Sequence, residues 1–586
     1  MMEDIGVSEQ DLLSVHQHHD DPQAHTLDQR RRAALSEVDS AEFSWFHVKV
    51  IFVAGVGFFT DAYDIFAITI AATMLGLVYG TPDETNGFRA LKPSQDLLLK
   101  IATPLGSIIG QVFFGWLADQ LGRKRMYGFE LITIVAGTFS QALAGQGPAV
   151  NIIYVLSVWR FIMGIGIGGD YPLSAVISSE FSATRIRGRV MTAVFASQGW
   201  GNLVASLVSL VVVNAFKKAV LNDGPDTNHI DFMWRLLIGL GSVPGAIALY
   251  FRFTIPESPR FTMDIERSVL KASEDVDLYL LKGSSLEIDP DAPYPLANMP
   301  KASRNDFRAY FSKKENFKVL LGTCLAWFCQ DFAFYGLGLN SSVIFNAITV
   351  FINTDKLCSS DGSSLSNSAA DPTDIVKALQ NISILTLIIS AAGLLPGYYA
   401  TFLFIDKWGR IPIQKMGFAV LTLLFILMGA LYSIFVPKET VNTSALNGIF
   451  FLYCLANFFQ NFGPNSTTFI IPGEAFPTRY RSTAHGLSAA SGRLGAILAQ
   501  IGLYALENRN NNNDCRPSFI TEIWLVFALF MFTGFLATTL IPETMGRSLE
   551  DISNEEQTGF VRGVNQTNTI ELSTSKKRHS VLKFQK

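Results

Sequence analysis

Charge is scarce in this sequence. Lys and Arg number 46 and Asp and Glu 50 in 586 residues, so ionisable side chains make up 16% of the chain, against about 25% in an average soluble protein. That scarcity argues against a string of soluble domains, although the length alone would admit roughly four. The formal net charge is only −4, which leaves no basic excess for a partner held through its phosphate backbone, and no nucleic acid is expected. Cysteine is sparse too. Cys324, Cys329, Cys358, Cys454 and Cys515 form no CxxC pair and have no histidine at zinc-site spacing, so neither a metal nor a cofactor is expected. Residues 1–45 are polar, carry Arg30, Arg31 and Arg32, and lack an early apolar run, so no cleavable signal peptide is expected.

What the chain has in quantity is apolar surface: 49% hydrophobic residues, 46 Phe and a mean hydropathy of +0.28. A spanning helix uses about 20 mostly apolar residues, and twelve would use on the order of 240. Stretches of that length recur near Val48–Tyr79, Leu98–Leu121, Met126–Ala144, Ile152–Ile177, Val190–Phe216 and Met233–Phe253. A polar segment follows, and then a second set near Val319–Phe345, Ala378–Ile405, Met416–Val436, Asn447–Ile470, Leu487–Tyr504 and Ile523–Leu540. The division reads as a tail over 1–45, a first six-helix half over 46–257, a linker over 258–318, a second half over 319–543 and a tail over 544–586. The linker carries the acidic, Pro-containing run Asp289–Pro293 and little amphipathic pattern after Leu281.

Lys and Arg beside short loops set the orientation. Arg123, Lys124 and Arg125, then Arg185, Arg187 and Arg189, then Lys407 and Arg410, then Arg479 and Arg481 fall on one side, together with both termini. That side is expected to be the cytoplasm. The opposite loops hold Asn508, Asn510–Asn513 and a sequon at Asn442-Thr443-Ser444. Cys358 and Cys515 also fall there, where one disulfide between them is open.

Three unrelated junctions recur between the halves. Asp119-x-x-Gly122-Arg123 returns as Asp406-x-x-Gly409-Arg410, Ile255-Pro256-Glu257 as Ile541-Pro542-Glu543, and Glu180 with Thr184-Arg185-x-Arg187 as Glu474 with Thr478-Arg479-x-Arg481, at offsets of 287, 286 and 294 residues. Two parallel six-helix halves are the arrangement of major facilitator transporters, which bind substrate at the midplane between the halves. The expected fold is therefore an all-α membrane protein of twelve transmembrane helices in two halves, with no covalent catalysis. The string Gly115-Trp116-Leu117-Ala118-Asp119-x-x-Gly122-Arg123-Lys124-Arg125 resembles the signature loop of that superfamily. Its arginines satisfy the positive-inside rule on count alone, yet the Gly-Arg spacing in both halves favours a gate built from Asp119, Arg123, Asp406 and Arg410.

Ionisable residues inside spans mark function, because each is costly unless it faces a cavity or a partner. They are Asp61 and Asp64 in the first span, Glu130 in the third, Arg160 and Asp170 in the fourth, Asp331 in the seventh and Arg493 in the eleventh. A structural ion-pair network would account for Glu130 and Arg160, but the remaining carboxylates outnumber the available cations. Trp327, Asp331 and Tyr335 stand at i, i+4 and i+8 on one helix face. Gln198 and Asn465 serve either a cavity or an interhelical hydrogen bond.

The strings Thr60-Asp61-Ala62-Tyr63-Asp64-Ile65-Phe66, Gly168-Gly169-Asp170-Tyr171-Pro172-Leu173-Ser174, Asp331-Phe332-Ala333-Phe334-Tyr335-Gly336, Gln460-Asn461-Phe462-Gly463-Pro464-Asn465 and Pro472-Gly473-Glu474 resemble the fungal high-affinity phosphate:proton symporters over roughly Arg30–Leu549. The resemblance implies that Tyr171, Gln198, Trp327, Asp331, Tyr335 and Asn465 contact phosphate, and that Asp61, Asp64 and Asp170 serve the proton route with Glu130 and Arg160 near it. The family usually has Lys where this chain reads Ser491-Gly492-Arg493, so Arg493 takes the cationic contact. Phosphate monoanion carries P–OH donors that Asp331 can accept while Arg493 balances its charge, whereas sulfate has none. The implied function is proton-coupled import of inorganic phosphate across the plasma membrane by alternating access, with phosphate, protons and membrane lipid as partners. A glycerophosphodiester permease of the same branch, and a phosphate transporter doubling as a nutrient sensor, are the alternatives.

Overall fold

The computed structural model describes residue 39 and residues 43–82, 89–223, 228–254, 257–264, 303–341, 372–435, 443–509 and 519–553. Arg30–Arg32, the linker run Asp289–Pro293, Cys358, Cys515, Asn442 of the sequon and most of both tails lie outside the described residues.

The fold is a bundle of long helices, as expected for an all-α membrane protein. Among the described residues, ten helices are long and apolar enough to cross a membrane. The third span, Arg123–Ala142, and the tenth complete the twelve expected. In the first half the helices are Trp45–Tyr79, Pro93–Leu121, Arg123–Ala142, Ile152–Glu180, Arg187–Asn222 and Asn228–Arg252; in the second they are Lys314–Leu339, Pro372–Trp408, Arg410–Phe435, the tenth in two pieces, Arg481–Arg509 and Phe519–Thr538. Several reach further into the charged loops than hydropathy predicts. The fourth ends at Glu180 and the fifth and eleventh begin at Arg187 and Arg481, because these charged residues are buried and paired rather than left at a surface.

The tenth span, read from the sequence as one helix, is broken into Thr443–Asn461 and Pro464–Ala475. Pro464 has no amide hydrogen to donate and disfavours helical backbone at Gly463, so the chain restarts a helix with proline in its first turn. The seventh helix stops at Leu339, short of the expected Phe345, and residues beyond Ser341 lie outside the described set.

The repeat seen in the sequence recurs in the packing. The first span packs on the fifth and sixth, and the seventh on the eleventh and twelfth; the third packs on the sixth and the ninth on the twelfth. The halves meet where the second span packs on the eleventh and the fifth on the eighth. Gly122 and Gly409, which close the two Asp-x-x-Gly-Arg turns, take φ of 102° and 94°, a region where a side chain is strained.

The second and fourth spans touch backbone to backbone. Each carries a Gly-x-x-x-Gly pair, Gly106/Gly110 and Gly164/Gly168, the spacing that lets helices approach closely in lipid. A Cβ at Gly106 would overlap the Phe161 carbonyl, and one at Gly164 the Thr103 carbonyl. We predict that Gly106→Val and Gly164→Val each cost about 1–3 kcal/mol through overpacking. A thermal unfolding scan in detergent should show both midpoints lowered, while Gly145→Ala, which meets nothing within 4 Å, leaves the midpoint unchanged.

Candidate functional site

Arg493, on the eleventh span, lies buried between the two halves. Its Nη1 donates to Asp331 Oδ2 on the seventh span at 2.8 Å, with both side chains about 3% exposed. Its guanidinium lies 4.5 Å from the ring centre of Tyr171 in the first half and 4.6 Å from that of Tyr335 in the second. Stacking of this kind uses the planar, weakly hydrated head that distinguishes Arg from Lys. Among the described residues the Arg493 Nη2 has no hydrogen-bond partner. Trp327 is 6.4 Å from Tyr171, ring centre to ring centre, so the seventh-span face of Trp327, Asp331 and Tyr335 does converge on one point.

A chain of neutral polar groups crosses the interface beside this pair. Gln198 Nε2 donates to the Tyr171 hydroxyl at 2.6 Å, the Tyr398 hydroxyl donates to Gln198 Oε1 at 3.4 Å, and Asn465 Nδ2 donates to Tyr398 at 3.0 Å and to Asn461 Oδ1 at 2.7 Å. Because Tyr171 accepts this bond from Gln198, its hydroxyl keeps its own hydrogen to donate. Tyr398 was not singled out from the sequence; one tyrosine in an apolar span full of aromatics carries no signal of its own.

Asp170 and Glu130 belong to a second cluster. Arg252 Nη2 reaches both oxygens of Asp170 at 2.9 Å, and its Nη1 donates to Glu130 Oε1 and to the Tyr127 carbonyl. Glu130 and Arg160 are therefore not partners; Arg160 Nε donates instead to the Leu99 carbonyl at 3.0 Å. Arg252 escaped the sequence reading because an arginine in a last helical turn looks like an interface anchor. Asp64 accepts from Thr138 at 2.5 Å, while neither oxygen of the fully buried Asp61 has a hydrogen-bond partner among the described residues.

The site is closed toward both ends. On the arginine-rich end, Phe195 and Phe469 stack with centres 4.5 Å apart, Phe58 meets both edge-on, and His485 lies edge-on to Phe469 and Trp327. Beyond them lie two mirrored ion clusters. Asp119 accepts from the Ser482 and Thr483 amides at 3.3 and 2.8 Å, at the start of the eleventh helix; Asp406 accepts from the Arg189 amide at 3.0 Å, at the start of the fifth. Arg123 pairs with Asp119 and Glu180, and Arg410 with Asp406 and Glu474. Arg481 reaches across to Glu180 at 2.8 Å. Glu257 caps the Arg123 and Lys124 amides as Glu543 caps those of Arg410 and Ile411. Burial lifts the Glu257 carboxyl above its ordinary value, and Arg123 and the capped amides pull it back. Toward the opposite end, Phe66 stacks on Tyr335 at 6.2 Å and Lys100 bonds Asn340 at 2.9 Å.

The profile of the sugar (and other) transporter family matches residues 50–355 and 372–555. The chain belongs to that family. It is a transporter, not an enzyme. A repressible high-affinity phosphate permease of Neurospora crassa is 43% identical over 544 residues, covering 90% of each chain. The inorganic phosphate transporter of Saccharomyces cerevisiae is 42% identical, covering 96% of this chain and 94% of that one. Among solved structures, the proton:xylose symporter XylE matches with a TM-score of 0.59 at 18% identity, covering 86% of this chain and 98% of that one; that likeness shows the fold.

Two outcomes follow from the geometry. Removing either member of the Asp331–Arg493 pair leaves a buried charge alone, at a cost of about 3–5 kcal/mol; Asp331→Asn or Arg493→Met should lower the unfolding midpoint, and the double variant should restore it. At the arginine-rich end, Met191 packs across the interface against Gly473 and is fully buried. In a Met191→Cys background, Asp119→Ala and Asp406→Ala should each speed alkylation of that cysteine about tenfold, the population shift expected from one lost charge-assisted bond.

Proposed function

We propose that the transporter is a proton-coupled symporter that brings inorganic phosphate into the cell across the plasma membrane by alternating access. The observation that carries this reading is Arg493, clamped between tyrosines of opposite halves, tied to one carboxylate and left with a free donor nitrogen. An oxyanion would take Arg493 Nη2 and the Tyr171 hydrogen, and a P–OH would donate to Asp331. Trp327, Tyr335, Gln198 and Asn465 shape the rest of the pocket. The two phosphate-transporting fungal relatives support the choice of anion.

In this reading Asp61, with both oxygens unbonded among the described residues, takes and releases the proton. Asp64 and Asp170 extend the route, and Arg252 pairs with Asp170 and Glu130, with Arg160 nearby. Asp119, Arg123, Asp406 and Arg410 hold the cytoplasmic gate, so the arginine-rich end and both termini face the cytoplasm. Each unit charge moved inward across ~100 mV gains about 2.3 kcal/mol. Because phosphate enters as an anion, more than one proton per anion is needed for net inward positive charge. The planar fork of Arg493 also suits a glycerophosphodiester, but the two tyrosine rings packed against it favour a small anion.

The test is radiolabelled phosphate uptake by purified protein in liposomes, with and without an imposed inward proton gradient. Uptake should rise several-fold with the gradient and should be lost in Asp61→Asn, while Arg493→Lys keeps phosphate transport. A hundredfold excess of glycerophosphocholine should leave uptake within twofold. Indifference to the gradient would remove proton coupling, and strong competition by the diester would move the substrate assignment to that class.

A further inference from the structure

Lys100, on the second span, is an ammonium only 4% exposed, in a stretch that apolar side chains would fill at less cost. Its Nζ contacts Asp96 one turn back at 2.5 Å and Asn340, at the outer end of the seventh helix, at 2.9 Å. From there a line of hydrogen bonds leads inward: Asn340 Nδ2 donates to Gln500 Oε1 at 2.9 Å, and Gln500 Nε2 donates to the Tyr335 carbonyl at 2.9 Å. Gln500 lies two turns from Arg493 on the eleventh helix, on the same face, and Tyr335 is the residue whose ring covers Arg493. The line therefore joins the outer surface of the bundle to the central cation.

A latch between the second and seventh helices needs no charge, since a neutral amide in place of Lys100 would bond Asn340 equally well. The Lys100–Asn340 bond joins the two halves, so parting them on the outer side breaks it, while Asp96 stays with Lys100 on its own helix. The ammonium then loses one acceptor and faces the opening. We propose that Lys100, with the Asn340 and Gln500 amides as further donors, is an outer subsite for the incoming oxyanion. A phosphate oxygen replaces Asn340 Oδ1 on Lys100, and the anion passes inward along Asn340 and Gln500 to Arg493. Asn340 returns to Lys100 as the outer end closes behind it. This assignment rests on the phosphate reading of the central site.

The experiment measures initial phosphate uptake in proteoliposomes across phosphate concentration and ionic strength for the wild type, Lys100→Met and Lys100→Arg. Lys100→Met should raise KM about tenfold, the scale of one charge-assisted hydrogen bond, with maximal rate within twofold. Its uptake at low phosphate should also lose most of the wild type's decline with added salt, because the steering charge is gone. Lys100→Arg should keep KM within about threefold. An unchanged KM in Lys100→Met, a loss confined to maximal rate, an unaltered salt response, or Lys100→Arg behaving like Lys100→Met would each overturn the subsite and leave the central site standing. A wild type that takes up no phosphate would instead overturn the phosphate reading, and the subsite with it.

Discussion

A guanidinium inside a bundle clad in lipid has to be held by carboxylates, carbonyls or ring faces, because no water there stabilises its charge. Arg123, Arg187, Arg252, Arg260, Arg410 and Arg481 are all fully buried, and the architecture is arranged around their partners. Arg252 ties the third, fourth and sixth spans through Glu130, Asp170 and the Tyr127 carbonyl. Arg493 does the same for the seventh and eleventh, and its two flanking tyrosines bring the halves together around it. Aromatic packing fills the space between these fixed points; Phe195 on Phe469 crosses the interface without any polar contact of its own.

The arginine-rich end shows how one short motif can serve twice. In each half an Asp at the end of a helix accepts amides from the start of a helix in the other half, so helix N-termini, which attract negative charge, are captured by carboxylates across the interface. Glu180 and Glu474 then collect an arginine from their own half and a hydroxyl, Ser258 or Thr544, at 2.5 Å. The N-terminal segment joins this layer through Asp39, whose carboxylate accepts from Arg260 at 2.7 Å and from Arg187 at 3.3 Å. Charge that hydropathy assigns to loops is thus part of the interior.

Much of this was legible in the sequence. Hydropathy found the spans, and the recurring Asp-x-x-Gly-Arg and Pro-Glu junctions predicted two related halves, because identical turns need identical residues. An acid in the seventh span and a cation in the eleventh, Asp331 and Arg493, stood out against apolar neighbours and do meet. What escaped detection lacked contrast. Arg252 and Lys100 sit near helix ends, where cations are ordinary; Tyr398 is one aromatic among many. The break before Pro464 was masked by continuous apolar and amide residues on either side, even though proline tolerates interior positions elsewhere in the bundle, as at Pro172. Which partner each buried charge takes depends on contacts distant in sequence, and no local pattern encodes them.

Under the proposed alternating access, the bond between Asp331 and Arg493 bears on the return stroke. The central cation is balanced by the protein's own carboxylate, and aromatic and amide contacts of the protein itself seal the interface. An unloaded carrier with a balanced centre can swing back without moving a bare charge through the low-dielectric interior. A carrier that resets empty accumulates its cargo, whereas one that must be refilled before it turns only exchanges one molecule for another.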